Sequence, residues 1–319
     1  MALCPVRVPM VGSVAEQVVG RVVDDALAPV RSVLASPLRR SLGEPTISFD
    51  DPPGDPGLFG PGSVTWRVHA DTPSMLIGGV SSLLVQLLHP GAMAGVADHS
   101  VYERDPAGRL RRTGTFVAGT TFGSTATAEA LITAVRRVHH AVVGTRPDGV
   151  PYDASDPTLL RWVHVAEHAQ FVRAYQLFGP RPLTAPEVDA YFAEVAVVAR
   201  KLGATGVPED AASVARCFSE LRGELAVGEQ ARRAIHFILE PKSTNPAERA
   251  GYVALAQAAV SIVPEWAAAM VGLSQPWPVL VANRMRAHAL CRTLRWALGP
   301  NELVERSLRR CAAPAAPAA

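Results

Sequence analysis

The chain has 319 residues, enough for one large core, since single hydrophobic cores stop growing near ~250–300 residues. Lys+Arg 31 against Asp+Glu 29 leaves a formal net charge of +2, too weak a field to steer the protein onto nucleic acid. A hydrophobic fraction of 48 % excludes disorder over most of the length.

The amino-terminal MALCPVRVPMVGSVAEQVVG has no basic stretch leading into a long apolar core and a small-residue cleavage site. Its thiol, Cys4, is far from Cys217, Cys291 and Cys311, with no CxxC or CxxCH. A zinc ribbon, a thioredoxin-type pair and covalent haem attachment therefore lack their residues, and a reducing cytoplasm is expected. Val14, Val18, Val22, Ala26 and Val30 recur every fourth residue and predict a helix over 14–34. The Pro/Gly-rich DDPPGDPGLFGPG at 50–62 must be loop.

From Thr72 to Ala97 no Asp, Glu, Lys or Arg occurs, a length that matches the ~20 residues of a bilayer span. Gly78-Gly79, Ser81-Ser82, Gln86 and His89 dilute it and Pro90 breaks it, which favours a buried core helix ending at His89. The run Thr113–Phe122 stays ambiguous, because its Thr and Gly content disfavours a helix. Helices are expected over about 126–143, 156–178, 185–202, 207–225, 231–239, 247–272, 278–298 and 302–309. No alternating strand pattern appears. The reading is a single all-α domain: a helical extension over 1–44, a main helical domain over 45–298, and a short helix with an Ala/Pro tail over 299–319.

Three features carry chemistry. On the 126–143 helix, at about 100° per residue, His139 falls inside the apolar arc of Leu131, Ile132, Val135, Val138 and Val142. It is either a core imidazole bonded to a carbonyl or an axial metal or haem ligand. His164-Val-Ala-Glu167-His168 fits the H-x-x-E-H pattern of inverted zinc proteases, with Glu220, Glu224 or Glu240 as third-ligand candidates. In Arg109-Leu-Arg-Arg-Thr113, the first and last side chains share a helix face. They form either a solvated basic turn or a cation and hydroxyl facing a polar ligand. No dinucleotide fingerprint, P-loop or nucleophile elbow is present.

In chain order, further pieces form a series: Ser63-Val-Thr-Trp66-Arg67-Val-His69, Leu83-Leu-Val-Gln86-Leu-Leu-His89-Pro90, Gly95-Val, His99-Ser100 and Asp105-Pro106. Arg109-Leu-x-Arg-Thr113, His139 five residues before Gly144, Tyr152, and Leu159-Leu160-x-Trp162-Val163-His164 continue it. This set resembles the oxygenase family of the latex clearing proteins (rubber oxygenases) and the fungal MpaB oxygenase, over roughly residues 45 to 290.

The resemblance implies a helical fold around non-covalent haem b and an enzyme that uses O2, or a peroxide, on a small hydrophobic substrate such as an isoprenoid or a secondary metabolite. It maps the family's Arg-x-x-x-Thr pair onto Arg109 and Thr113 and its proximal histidine, the iron ligand, onto His139, with His164 in reserve. Where rubber oxygenases carry a distal lysine, this chain has Arg112, a planar fork and a poor iron ligand. Glu103 is the nearest carboxylate before Arg109 and is the candidate acid/base. Without a secretion signal, polymeric rubber is not the expected substrate. A haem protein without turnover and a zinc hydrolase built on His164, Glu167 and His168 are the rival classes.

Overall fold

A computed structural model describes residues 27–36, 38–40, 43 and 46–314. Residues 27–36 are helical, whereas 14–26 of the expected first helix, Cys4 and the last five residues of the tail lie outside the described residues. The Pro/Gly-rich 50–62 stretch is turns and bends, as its composition requires. Then follow α1 (Val64–His69), α2 (Thr72–Gln86), α3 (Pro90–His99), α4 (Pro106–Phe122) and α5 (Thr125–Ala141). A small antiparallel pair, β1 (Val143–Thr145) and β2 (Pro151–Asp153), precedes α6 (Pro157–Phe178) and α7 (Ala185–Leu202). The remaining helices are α8 (Ala211–Leu221), α9 (Glu229–Leu239), α10 (Pro246–Val260), α11 (Glu265–Val271), α12 (Trp277–Leu298) and α13 (Glu302–Ala312).

The uncharged helix α2 and the long α6 form the axis of an all-α domain, packed along most of their length. Gly78 permits this: a Cβ there would sit 3.1 Å from the backbone of Gln170 and Phe171. Small side chains continue the seam, with Ser81 Oγ donating to Gln170 at 3.0 Å and Trp162 Nε1 donating to the Gln86 carbonyl at 3.1 Å. Around this axis lies the main core, including Leu84, Leu88, Trp162, Val165, Phe192 and Val195. The charge-free stretch is thus an interior helix, and after it the chain turns 105° into α3. No single described helix is long and apolar enough to cross a membrane.

Three expectations are corrected. The ambiguous 113–122 run is helix α4, because Asp105 caps it by accepting from Gly108 N at 2.8 Å and Gly119 lets it close on Leu131 and Ile47. Tertiary packing outweighs the poor propensity of Thr and Gly. The expected 247–272 helix is two, α10 and α11, bent by 118° around Ser261–Pro264, where proline cannot continue the α10 ladder. The β1–β2 pair was not anticipated; its strands are three residues long, too short for an alternation signal.

Candidate functional site

The interior holds a chain of polar side chains from four helices. Ser63 caps α1, and Glu194 of α7 accepts from Val64 N at 3.1 Å and from Thr65 N and Oγ1, both at 2.7 Å. These bonds hold α1 so that His69, its last residue, points inward with 7 % exposure. His69 Nδ1 lies 2.7 Å from Thr121 Oγ1 of α4, and its Nε2 lies 2.9 Å from the Tyr191 hydroxyl of α7. The same hydroxyl is 2.8 Å from His168 Nδ1 of α6, and the His69 and His168 rings lie nearly parallel with centroids 6.0 Å apart.

A tyrosine hydroxyl has one proton, so it donates to one imidazole and accepts from the other. The two neutral rings are thereby locked in linked tautomers. If Tyr191 donates to His69, then His168 carries its proton on Nδ1 and leaves Nε2 bare. If Tyr191 donates to His168, the Nε2 of His168 bears the proton and Thr121 donates to His69. Shifting one proton along the chain switches His168 between acceptor and donor. Burial keeps the rings neutral, pushing His69 down to about 3 and His168 well below the usual imidazole range.

His164, Glu167, His168 and Phe171 share one face of α6 at helical spacing. Neither His164 nor the Glu167 carboxylate has a hydrogen-bond partner among the described residues. Burial pushes His164 down to about 3 and Glu167 up to about 7, yet both side chains and His168 keep accessible surface. The His164 and His168 rings are 4.4 Å apart.

His139 lies near the carboxyl end of α5. The buried face of α5 is centred on Ala128 and Ile132, so His139 sits at its middle while Val138, expected in the core, is 59 % exposed. The His139 ring is half-buried, its Nδ1 is buried without a partner, and burial lowers its pKa. Arg109, near the start of α4, is half-buried and donates through Nη1 to Ser100 Oγ at 2.5 Å. Thr113 is on the same helix face but exposed. Arg112 is exposed and pairs with its own helix cap, Asp105, at 3.4 Å.

Glu103 is also exposed and accepts from the Tyr102 hydroxyl at 3.0 Å. With Ser100, Tyr102, Arg104 and Arg233 it lines a half-open cleft of about 550 Å³ beside the α3–α4 connection. No hydrogen bond or ring contact joins His139 to Arg109, Thr113 or Glu103.

Sequence reasoning missed Tyr191 and Thr121, and placed His69 only within a family motif. They are brought to His168 from 23, 47 and 99 residues away along the chain, and no local pattern marks such a meeting. A half-signal existed: His69, His164 and His168 are three of nine histidines, each set among apolar residues.

The family described as ER-bound oxygenase mpaB/B′/rubber oxygenase, catalytic domain, matches residues 66–296. These bounds include α2 through α7, the histidine chain and every sequence-predicted site residue. The chain belongs to this oxygenase family. Two uncharacterized proteins, from Mycobacterium bovis and Mycobacterium tuberculosis, are each 33 % identical over 135 residues. The matched stretch is 40 % of this chain and 51 % of each relative, so the chain spans about half the length of the curated relatives it matches. No solved structure matches.

Proposed function

We propose that this chain is a haem-b-dependent oxygenase acting with O2, or a peroxide, on a small hydrophobic substrate. Donor chemistry carries the cofactor reading. His139 offers a neutral, half-buried imidazole with no protein partner, while no group of three His, Cys, Asp or Glu among the described residues could hold a metal ion. Haem needs one imidazole in an apolar setting, whereas a hydrolytic zinc needs three protein ligands. The residues fit haem, and the H-x-x-E-H pattern of α6 gains no third ligand.

In this reading His139 would hold the iron, and haem, when bound, would supply the oxygen activation that no side chain can perform. Arg109 contributes a half-buried cation, already oriented by Ser100, that would pair with a cofactor carboxylate or with negative charge developing during the reaction. Only Gly123 and Ser124 join α4 to α5, and the two helices pack together. Counted from that turn, Arg109 and His139 both lie about 15 residues out, roughly 22 Å along either arm at ~1.5 Å per residue. Inside, Glu167 holds a proton near neutral pH, and His168, Tyr191 and His69 provide a dry route along which a proton can move. The apolar helices around these groups suit a hydrophobic substrate.

The test is an absorption spectrum with a pyridine haemochrome assay and elemental analysis on the purified protein, repeated on His139→Ala and His164→Ala. One b-type haem per chain, lost in His139→Ala while the fold persists, is expected. Loss in His164→Ala alone moves the ligand to His164. A protein that stays haem-free after reconstitution overturns the reading. O2 uptake with apolar substrates then separates an oxygenase from a haem protein without turnover.

A further inference from the structure

Among the exposed large apolar side chains, Trp277, Val279, Met285 and Trp296 fall on α12, and Val30, Val33 and Leu34 on the helix over 27–36. Trp277 is 74 % exposed and Met285 68 %. The two helices are neighbours: the Arg31 guanidinium lies over the Trp296 ring at 5.9 Å, and Arg39 donates to the Leu298 carbonyl at 3.3 Å. At about 100° per residue, Trp277, Met285 and Trp296 fall within roughly 100° of one another, so exposed apolar side chains recur along one side of α12, as at an interaction surface.

Charge decides what it meets. Residues 27–43 and 277–298 contain Arg31, Arg39, Arg40, Arg284, Arg286, Arg292 and Arg295, and no Asp or Glu. Glu248 pairs with Arg40 and Asp71 with Arg295. Among the described residues, Arg286 hydrogen-bonds only the neutral Asn283, and Arg292 is exposed. Among the described residues, Arg173 of α6 makes no hydrogen bond or ion pair, and its Nε is buried.

A second copy of this chain on the same face would set these arginines against each other. An anionic bilayer meets both features. Tryptophans at the two ends of α12, ~28 Å apart at ~1.5 Å per residue, suit the headgroup level. The apolar side chains between them suit the acyl boundary, and the arginines suit lipid phosphates.

We propose that α12 and the helix over 27–36 dock the protein peripherally on a bilayer surface rich in anionic phospholipid. Trp277, Met285 and Trp296 enter the boundary, and Arg286 and Arg292 contact phosphates. The proposal does not depend on the cofactor. Flotation of the full-length protein with phosphatidylcholine vesicles, with and without phosphatidylglycerol, tests it. Binding only to the phosphatidylglycerol vesicles, reversed by high salt, is expected. The double variant Arg286→Gln, Arg292→Gln weakens partitioning by about 25-fold, at roughly fivefold per arginine. Met285→Glu, at an exposed site, abolishes it with the helical circular dichroism intact. Flotation on neither vesicle, equal flotation on both, or indifference to these variants overturns the proposal. So does a dimer in sedimentation that Met285→Glu dissolves without any vesicle binding.

Discussion

The hydroxyl of Tyr191 stands 2.8 Å from Nδ1 of His168 and is the link through which a ring on α6 reaches a ring on α1. Tyr191→Phe keeps the aromatic volume and deletes that link. It leaves one nitrogen of His168 and one of His69 unpaired in a buried setting, a loss of about 2–4 kcal/mol. Urea unfolding of parent and variant measures it as a lower midpoint at unchanged slope. A change under ~0.5 kcal/mol would show that the chain is not energetically coupled.

Acid sensitivity follows from the same rings. An ordinary imidazole titrates near 6.5, whereas His69 and His164 are held down to about 3. Between those values the unfolded chain binds more protons than the native one, so stability falls as pH drops through this window. Glu167 works in the opposite sense: with its folded pKa at about 7 against 4.5, it costs stability as pH rises between them and costs most above 7. In the cofactor-free protein, Glu167→Gln therefore stabilises by roughly 1–3 kcal/mol at pH ~8 and changes little at pH ~4. Denaturant unfolding at both values checks this, and a less stable variant at the higher pH would mean that ionised Glu167 has a cationic partner.

Much of the fold is legible in the sequence because local chemistry writes it. Asp156-Pro157 starts α6, Thr184 and Glu187 form a capping box on α7, and Gly203 ends α7 at a φ of 110°. Helix α4 is not legible, since Gly119 and the threonines form a helix only when Leu131 and Ile47 close over them. His139 is legible as an inward residue from its helical phase. The true buried face is turned away from Val138, however, because α5 packs on α4 and α7 rather than on a core beneath its valines. The His69–Tyr191–His168 chain is a product of topology, and no window of sequence contains it.

Arg310 on α13 clamps the carboxyl end of the described chain onto the core. Its guanidinium, 2 % exposed, donates to the carbonyls of Phe49 at 2.9 Å, Asp55 at 2.9 Å and Phe122 at 2.8 Å. Phe122 closes α4, so the clamp also holds the helix that carries Thr121 and Arg109. Arg310→Met removes three charge-assisted bonds and leaves three carbonyls unpaired, costing about 3 kcal/mol or more. Thermal and urea unfolding register the loss. A near-neutral substitution would mean that α13 is peripheral to the cooperative fold.

Arg109 tests whether the start of α4 belongs to the chemistry. Burial lowers its pKa, but a guanidinium so far above neutrality stays charged, so the half-buried cation needs a counter-charge that Ser100 Oγ does not supply. If haem binds as proposed, Arg109→Met is expected to cut turnover at least tenfold, and Arg109→Lys to recover only part of it because the planar fork is gone. Without the cofactor, Arg109→Met should be as stable as the parent or slightly more so, since it removes an uncompensated buried charge. Steady-state oxygen uptake and urea unfolding, run side by side, separate these roles. Unchanged turnover together with lost stability would make Arg109 a structural tie to Ser100 with no part in the chemistry.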